Sequence, residues 1–169
     1  MAMESNTVTL DTIDYRILKV LSEDGRASDV AIGERINLSS TAVARRRKIM
    51  EADGVISGYT ADLNLKALGL GGVVIVAIEL TSQAENTLNQ FEKEVVKSPW
   101  ISWCGFVSGD TDFIIMIHVD SFNEYDKIYR KELSILPHVR RIRSSFVMRE
   151  VTRRLTVPAI FDATPARSN

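Results

Sequence analysis

Between Asp11 and Gly54 the apolar residues recur at the three-to-four residue spacing of amphipathic helices. Ile13, Ile17, Leu18 and Leu21 predict a first helix that Asp11 caps and Gly25 stops. Ala31, Ile32 and Ile36 predict a second, shorter helix capped by Ser28. It is broken at Asn37-Leu38-Ser39, where asparagine tolerates left-handed backbone. Val43, Ile49 and Met50 predict a third, capped by Ser39 or Ser40 and ending before Gly54. After Gly54 the spacing dissolves into mixed β-formers, polar residues and the glycines Gly69, Gly71 and Gly72, which reads as a linker.

From Val73 the pattern changes period. Val73 to Leu80 is an apolar, β-branched run of strand length. Leu88, Phe91, Val95 and Val96 return to helical spacing and stop before Pro99, which disfavours helix at Ser98. Trp100–Val107 and Phe113–Val119 predict a hairpin around the turn residues Ser108-Gly109-Asp110-Thr111-Asp112. Phe122, Tyr125, Ile128, Tyr129 and Leu133 predict another helix ended by Pro137, and Val139–Val147 a last strand. The order βαββαβ is that of a ferredoxin-like fold. The expected division is a flexible N-terminus over 1–9, a helix-turn-helix over 10–59, a linker over 60–71, the βαββαβ domain over 72–158 and a C-terminal tail over 159–169, frayed from Ala163.

Composition narrows the class. The 169 residues are 45% hydrophobic, enough to bury a core. With 21 basic and 22 acidic side chains the net charge is −1, so a nucleic-acid surface has to come from local clustering. The lone cysteine, Cys104, has no companion for a disulfide or a zinc site and reads as a small hydrophobe. No apolar leader or membrane-length run is present, and a cytoplasmic protein without membrane contact is expected.

One cluster stands out. Ser39, Ser40 and Thr41 open the third helix, where hydroxyls and free amides can hold phosphate oxygens, and Arg45-Arg46-Arg47-Lys48 follow. On a helical wheel Thr41, Ala44, Arg45 and Lys48 lie opposite Val43 and Met50; with Ser39 and Ser40 of the helix start and Arg46 of the basic run, the expected DNA-facing set is Ser39, Ser40, Thr41, Ala44, Arg45, Arg46 and Lys48. Arg45 suits a guanine edge and Lys48 a phosphate. Arg47 falls near the apolar stripe and has to snorkel or pair with an acid. The bland alternative is a solvated basic helix face.

The sequence resembles the Lrp/AsnC family of leucine-responsive and asparagine-dependent regulators from Leu10 to about Pro158. The likeness rests on Leu10-Asp11-Thr12-Ile13-Asp14-Tyr15-Arg16-Ile17-Leu18, on Asn37-Leu38-Ser39 with Gly54-Val55-Ile56-Ser57-Gly58-Tyr59, and on Val107-Ser108-Gly109-Asp110-Thr111-Asp112-Phe113. It implies a winged helix-turn-helix joined to an amino-acid-sensing domain, and dimers formed by sheet pairing that assemble into tetramers or octamers. It also implies an effector bound between dimers and regulation of the protein's own gene. Relative to the family pattern, Arg47 replaces an apolar residue and Ser40 a common proline, while Trp103 and Gly105 replace more polar residues before the loop.

The loop chemistry points the same way. Glycine permits close backbone approach, amides suit a carboxylate, and carboxylates suit an ammonium group. Asp112 is the first choice for the ammonium, with Asp110 the alternative or a cap of the turn. The expected effector set is Phe106, Val107, Ser108, Gly109, Asp110, Thr111 and Asp112, completed by Leu136, Val139 and Arg140. An ordinary hairpin turn is the competing reading, and the oxygen ligands of a calcium loop are missing. The arginines between Arg130 and Arg154 read as the wet face of a strand rather than a second DNA contact.

Other classes fit less well. His118 and His138 sit in no nucleophile or metal motif, and no phosphate loop exists, so an enzyme is not expected and no cofactor beyond an amino-acid effector. Gly105-Phe106-Val107 only faintly echoes an RNA-recognition strand. A stand-alone amino-acid-binding module is the better rival, though it leaves the helix-turn-helix unexplained. The expected partners are double-stranded DNA, a small-molecule effector and further copies of the chain.

Overall fold

In the first of the chain's two units, Asp11 accepts from the N–H groups of Ile13 and Asp14 while Asp14 accepts from that of Asp11, so three backbone donors at the start of α1 (Thr12–Glu23) are met by a reciprocal cap. The computed structural model describes residues 8–162. Ser28 caps α2 (Asp29–Ile36) and Ser39, rather than Ser40, caps α3 (Ser40–Ala52) through the Ala42 N–H. Asn37 takes the left-handed conformation at the end of α2, with φ 59°. The buried faces of the three helices meet over Ile17, Val20, Ile32, Val43 and Met50. Each such side chain stabilises the unit by about 1.5–3 kcal/mol. Ile49, placed in the apolar stripe by its spacing, is instead 47% exposed.

Residues 53–71 contain turns and extended chain but no strand, so the wing implied by the family resemblance is not built there as a hairpin. By compactness, among the described residues, this unit comprises 8–62 together with 153–162, including a short 3-10 helix at Pro158–Phe161. The expected flexibility of 1–9 falls mostly, and the expected fraying from Ala163 wholly, outside the described residues.

The second unit, Leu63–Thr152, follows the order β1 (Gly72–Leu80), α4 (Glu85–Val95), β2 (Ile101–Phe106), β3 (Phe113–Val119), α5 (Phe122–Ile128) and β4 (Val139–Phe146). Its single sheet has the order β2-β3-β1-β4, antiparallel throughout, as a ferredoxin-like fold requires. Val74, Val76, Ile78 and Leu80 alternate onto one face of β1 and pack with Ile115 and Ile117 of β3 against Phe91, Val95, Tyr125 and Ile128 of the helices. α5 runs into one turn of π-helix at Tyr129–Leu133, which still brings Leu133 into the core.

Candidate functional site

The four consecutive cations of α3 leave the helix about 100° apart, and their surroundings separate them into two pairs. Arg45 and Lys48 are exposed beside Thr41 and Ala44, and among the described residues neither has an ion-pair partner. Val43 and Met50 are buried on the opposite side. Ser40 is exposed at the N-terminus, whereas the Ser39 hydroxyl is occupied as the cap.

Arg46 corrects the expectation that it faces DNA. Its guanidinium donates to Asp11 at 2.7 Å and to Asp14 at 2.8 Å, tying α3 to the cap of α1. Asp14 first, and then Asp11, hold the Arg46 guanidinium above its ordinary range, so it stays charged. Arg47 also pairs inward: Nη1 lies 2.7 Å from Asp29 and Nη2 3.7 Å from Glu51, while the guanidinium sits 5.2 Å from the centre of the Tyr59 ring. Tyr59 donates its hydroxyl to Glu51 at 2.7 Å. Burial, and then that bond, push the phenol up, keeping it neutral.

The loop between β2 and β3 is held by its backbone. Val107 N–H donates to the Asp112 carbonyl, and Asp112 N–H and the Thr111 hydroxyl both donate to the Ile78 carbonyl. Asp112, the first choice for an effector ammonium, is 4% exposed, with one carboxylate oxygen accepting from Leu80 N–H and the other from the Gln83 amide, both at 2.7 Å. As placed, it is a structural tie rather than an open acceptor. Asp110, Ser108 and Gly109 are exposed, Gly109 with φ 121°, and the Asp110 carbonyl lies 3.4 Å from Arg143 Nη2.

The other expected effector residues divide. Phe106 is 56% exposed with its ring 5.2 Å from that of Phe113. Leu136 and Val139 pack against the core, and Arg140 reaches Glu79 at 3.1 Å. Leu80 both donates to Asp112 and pairs with Val139 across the ladder, so the loop and the start of β4 do meet at one end of the sheet. Sequence reasoning missed Gln83 and Arg143, because neither lies in a motif and both reach the loop through the fold.

The remaining candidates are quiet. Burial first, then Glu92, push the Cys104 thiol up, which disfavours the thiolate. Trp103 lies over Gly105, where a Cβ would be 2.5 Å from the indole, so the two departures before the loop form one packing unit. His138 has φ 63° and its Nε2 lies 2.6 Å from Gln90 Oε1. Among the described residues no group of His, Cys, Asp and Glu could hold a metal, and no helix is long and apolar enough to cross a membrane.

Comparison with known proteins gives both halves a counterpart. Residues 10–51 match the AsnC-type helix-turn-helix domain and residues 73–157 the Lrp/AsnC ligand binding domain. The leucine-responsive regulatory proteins of Escherichia coli (strain K12) and Klebsiella pneumoniae are each 39% identical over 142 residues, 84% of this chain and 87% of theirs. Among solved structures, an AsnC family transcriptional regulator from Agrobacterium tumefaciens superposes with a TM-score of 0.85 at 27% identity, covering 90% of this chain and 99% of that one. A transcriptional regulator from Neisseria meningitidis, solved as a complex with L-methionine, gives 0.84 at 29% identity, covering 89% and 97%.

Proposed function

The chain belongs to the Lrp/AsnC family of transcriptional regulators, and from that premise we propose how it reads DNA and what modulates it. The observation that carries the reading is the separation of the α3 cations into an inward pair, Arg46 and Arg47, and an outward pair, Arg45 and Lys48. α3 enters the major groove of double-stranded DNA with Ser40 and Thr41 at its leading end. Arg45 reads a guanine edge through its planar fork, Lys48 takes a backbone phosphate, and Ala44 allows close approach.

The modulator is an amino acid bound at the end of the sheet where the 107–112 loop meets β4. The L-methionine in the Neisseria meningitidis relative supports that class of ligand. In this chain the exposed loop residues Ser108, Gly109 and Asp110, with Arg143 beside them, offer a carboxylate for the ammonium group and a guanidinium for the carboxylate. Phe106, Leu136, Val139 and Arg140 border that end. The protein acts in the cytoplasm as a homo-oligomer of dimers, with the effector between subunits, and it is not an enzyme. The effector alters DNA binding by its differential affinity for two assembly states, about 1–3 kcal/mol.

The test is a titration against DNA from upstream of the protein's own gene and against scrambled DNA, at one salt concentration, with and without a mixed amino-acid pool. Salt is fixed because phosphate contacts dominate affinity. A preference for the native sequence that the pool alters supports both halves. Amino-acid binding by calorimetry with no DNA binding would instead favour a stand-alone sensor.

A further inference from the structure

Arg47 is a large, charged side chain one helical turn from the buried Val43 and Met50 of α3. It is part-buried, with a side-chain exposure of 21%, and its Nε is buried with no hydrogen-bond partner. Burial alone would lower the Arg47 pKa, but its hydrogen bonds and charge interactions with Tyr59 and Asp29 outweigh that and raise it, so the guanidinium stays charged where it sits. What its contacts supply besides this is geometry.

Those contacts run in two directions from one residue. Nη1 reaches Asp29 in the first turn of α2, and the guanidinium face lies 5.2 Å from the Tyr59 ring, which is itself tied to Glu51 of α3. One position earlier on the helix, about 100° around its axis, Arg46 is held by Asp11 and Asp14 at the start of α1. Two anchors at different azimuths add to the packing of Val43 and Met50 in resisting rotation of the helix about its own axis. A roll of about 10° moves a side-chain tip about 6 Å from the axis by about 1 Å. Bidentate recognition of a base edge tolerates about half that displacement.

Building on the reading of α3 as the helix that enters DNA, we infer that Arg47 is a positioning residue: clamped between Asp29 and Tyr59, it fixes the roll of α3 and so the direction in which Arg45 and Lys48 point. It touches no DNA itself. A phosphate contact by Arg47 is the opposed possibility, and the two differ in salt dependence.

The experiment uses full-length protein and the DNA pair described above. In Arg47→Met that remains folded, checked by thermal melting, the preference for specific over scrambled DNA falls by about tenfold, the loss of one well-placed bidentate base contact. The slope of log affinity against log salt stays unchanged, because no phosphate contact is lost. Arg47→Lys keeps a cation for Asp29 but not the planar stack on Tyr59, and recovers part of the preference. Asp29→Asn, which leaves the apolar packing untouched, lowers the preference in the same direction and serves if the Met variant folds poorly. An unchanged preference in folded Arg47→Met overturns the inference, and so does a fall in slope of about 0.9, which marks a phosphate contact. If wild type itself shows no preference, the reading of α3 fails and this inference with it. Preference in wild type kept by the variants removes this inference alone.

Discussion

Gly33 and Leu38 meet across the bend between α2 and α3. The Leu38 N–H donates to the Gly33 carbonyl at 2.9 Å, and a Cβ on residue 33 would lie 2.4 Å from the Leu38 carbonyl oxygen. Backbone stands where a side chain would go, so the helix-turn-helix angle depends on this glycine.

Gly33→Ala is therefore expected to destabilise the helical unit. The gain in helix propensity, about 1 kcal/mol, is outweighed by a clash with backbone that cannot rotate away, about 1–3 kcal/mol. Thermal melting followed by helical circular dichroism checks this. A melting temperature equal to or above wild type would show that the bend relaxes freely.

Asp112→Ala gives the corresponding test in the sheet unit. It removes both acceptors that hold Leu80 N–H and the Gln83 amide, leaving a donor buried at the end of β1. A loss of about 1–3 kcal/mol is expected in denaturant unfolding. An effector-only defect with unchanged stability would contradict the structural role and return Asp112 to the ligand.

Asp11 gives a pH signature. Its pKa lies below the ordinary 3.8: burial works against this, but the Asp14 N–H and then the Arg46 guanidinium outweigh it. A folded pKa below the unfolded one means stability that is complete above pH 3.8 and lost as pH falls through the lower folded value. Asp11 is half exposed, so solvent screening keeps the effect small. Asp11→Asn should flatten this part of the acid unfolding curve of the helical unit. An identical acid profile in the variant would remove the Arg46 tie from the account.

Local signals were read well from the chain and long-range partners were not. Ser28, Asn37 and the apolar spacings act within a few residues of where they stand, and the caps, the left-handed turn and the βαββαβ order follow from them. Arg46 enters the expected set with the basic run and not by the wheel, and nothing near it in sequence announces its carboxylates, 32 and 35 residues away. Arg47 was expected to snorkel or pair, and only the fold supplies Asp29 and Tyr59. Asp112 looked like a free turn carboxylate because nothing near it in sequence announces the Leu80 amide, 32 residues off. The π turn at Tyr129–Leu133 leaves the apolar spacing nearly intact, so the pattern does not register it.

Whether α3 reads DNA through Arg45 and Lys48 is decided by titrating full-length Arg45→Ala and Lys48→Ala against specific and scrambled DNA over a range of salt. Arg45→Ala is expected to lose about 1–3 kcal/mol of preference for the specific sequence. Lys48→Ala is expected to weaken both DNAs alike and reduce the salt slope by about 0.9. Full preference in Arg45→Ala together with an unchanged slope in Lys48→Ala would contradict the claim and move the DNA-reading surface away from α3.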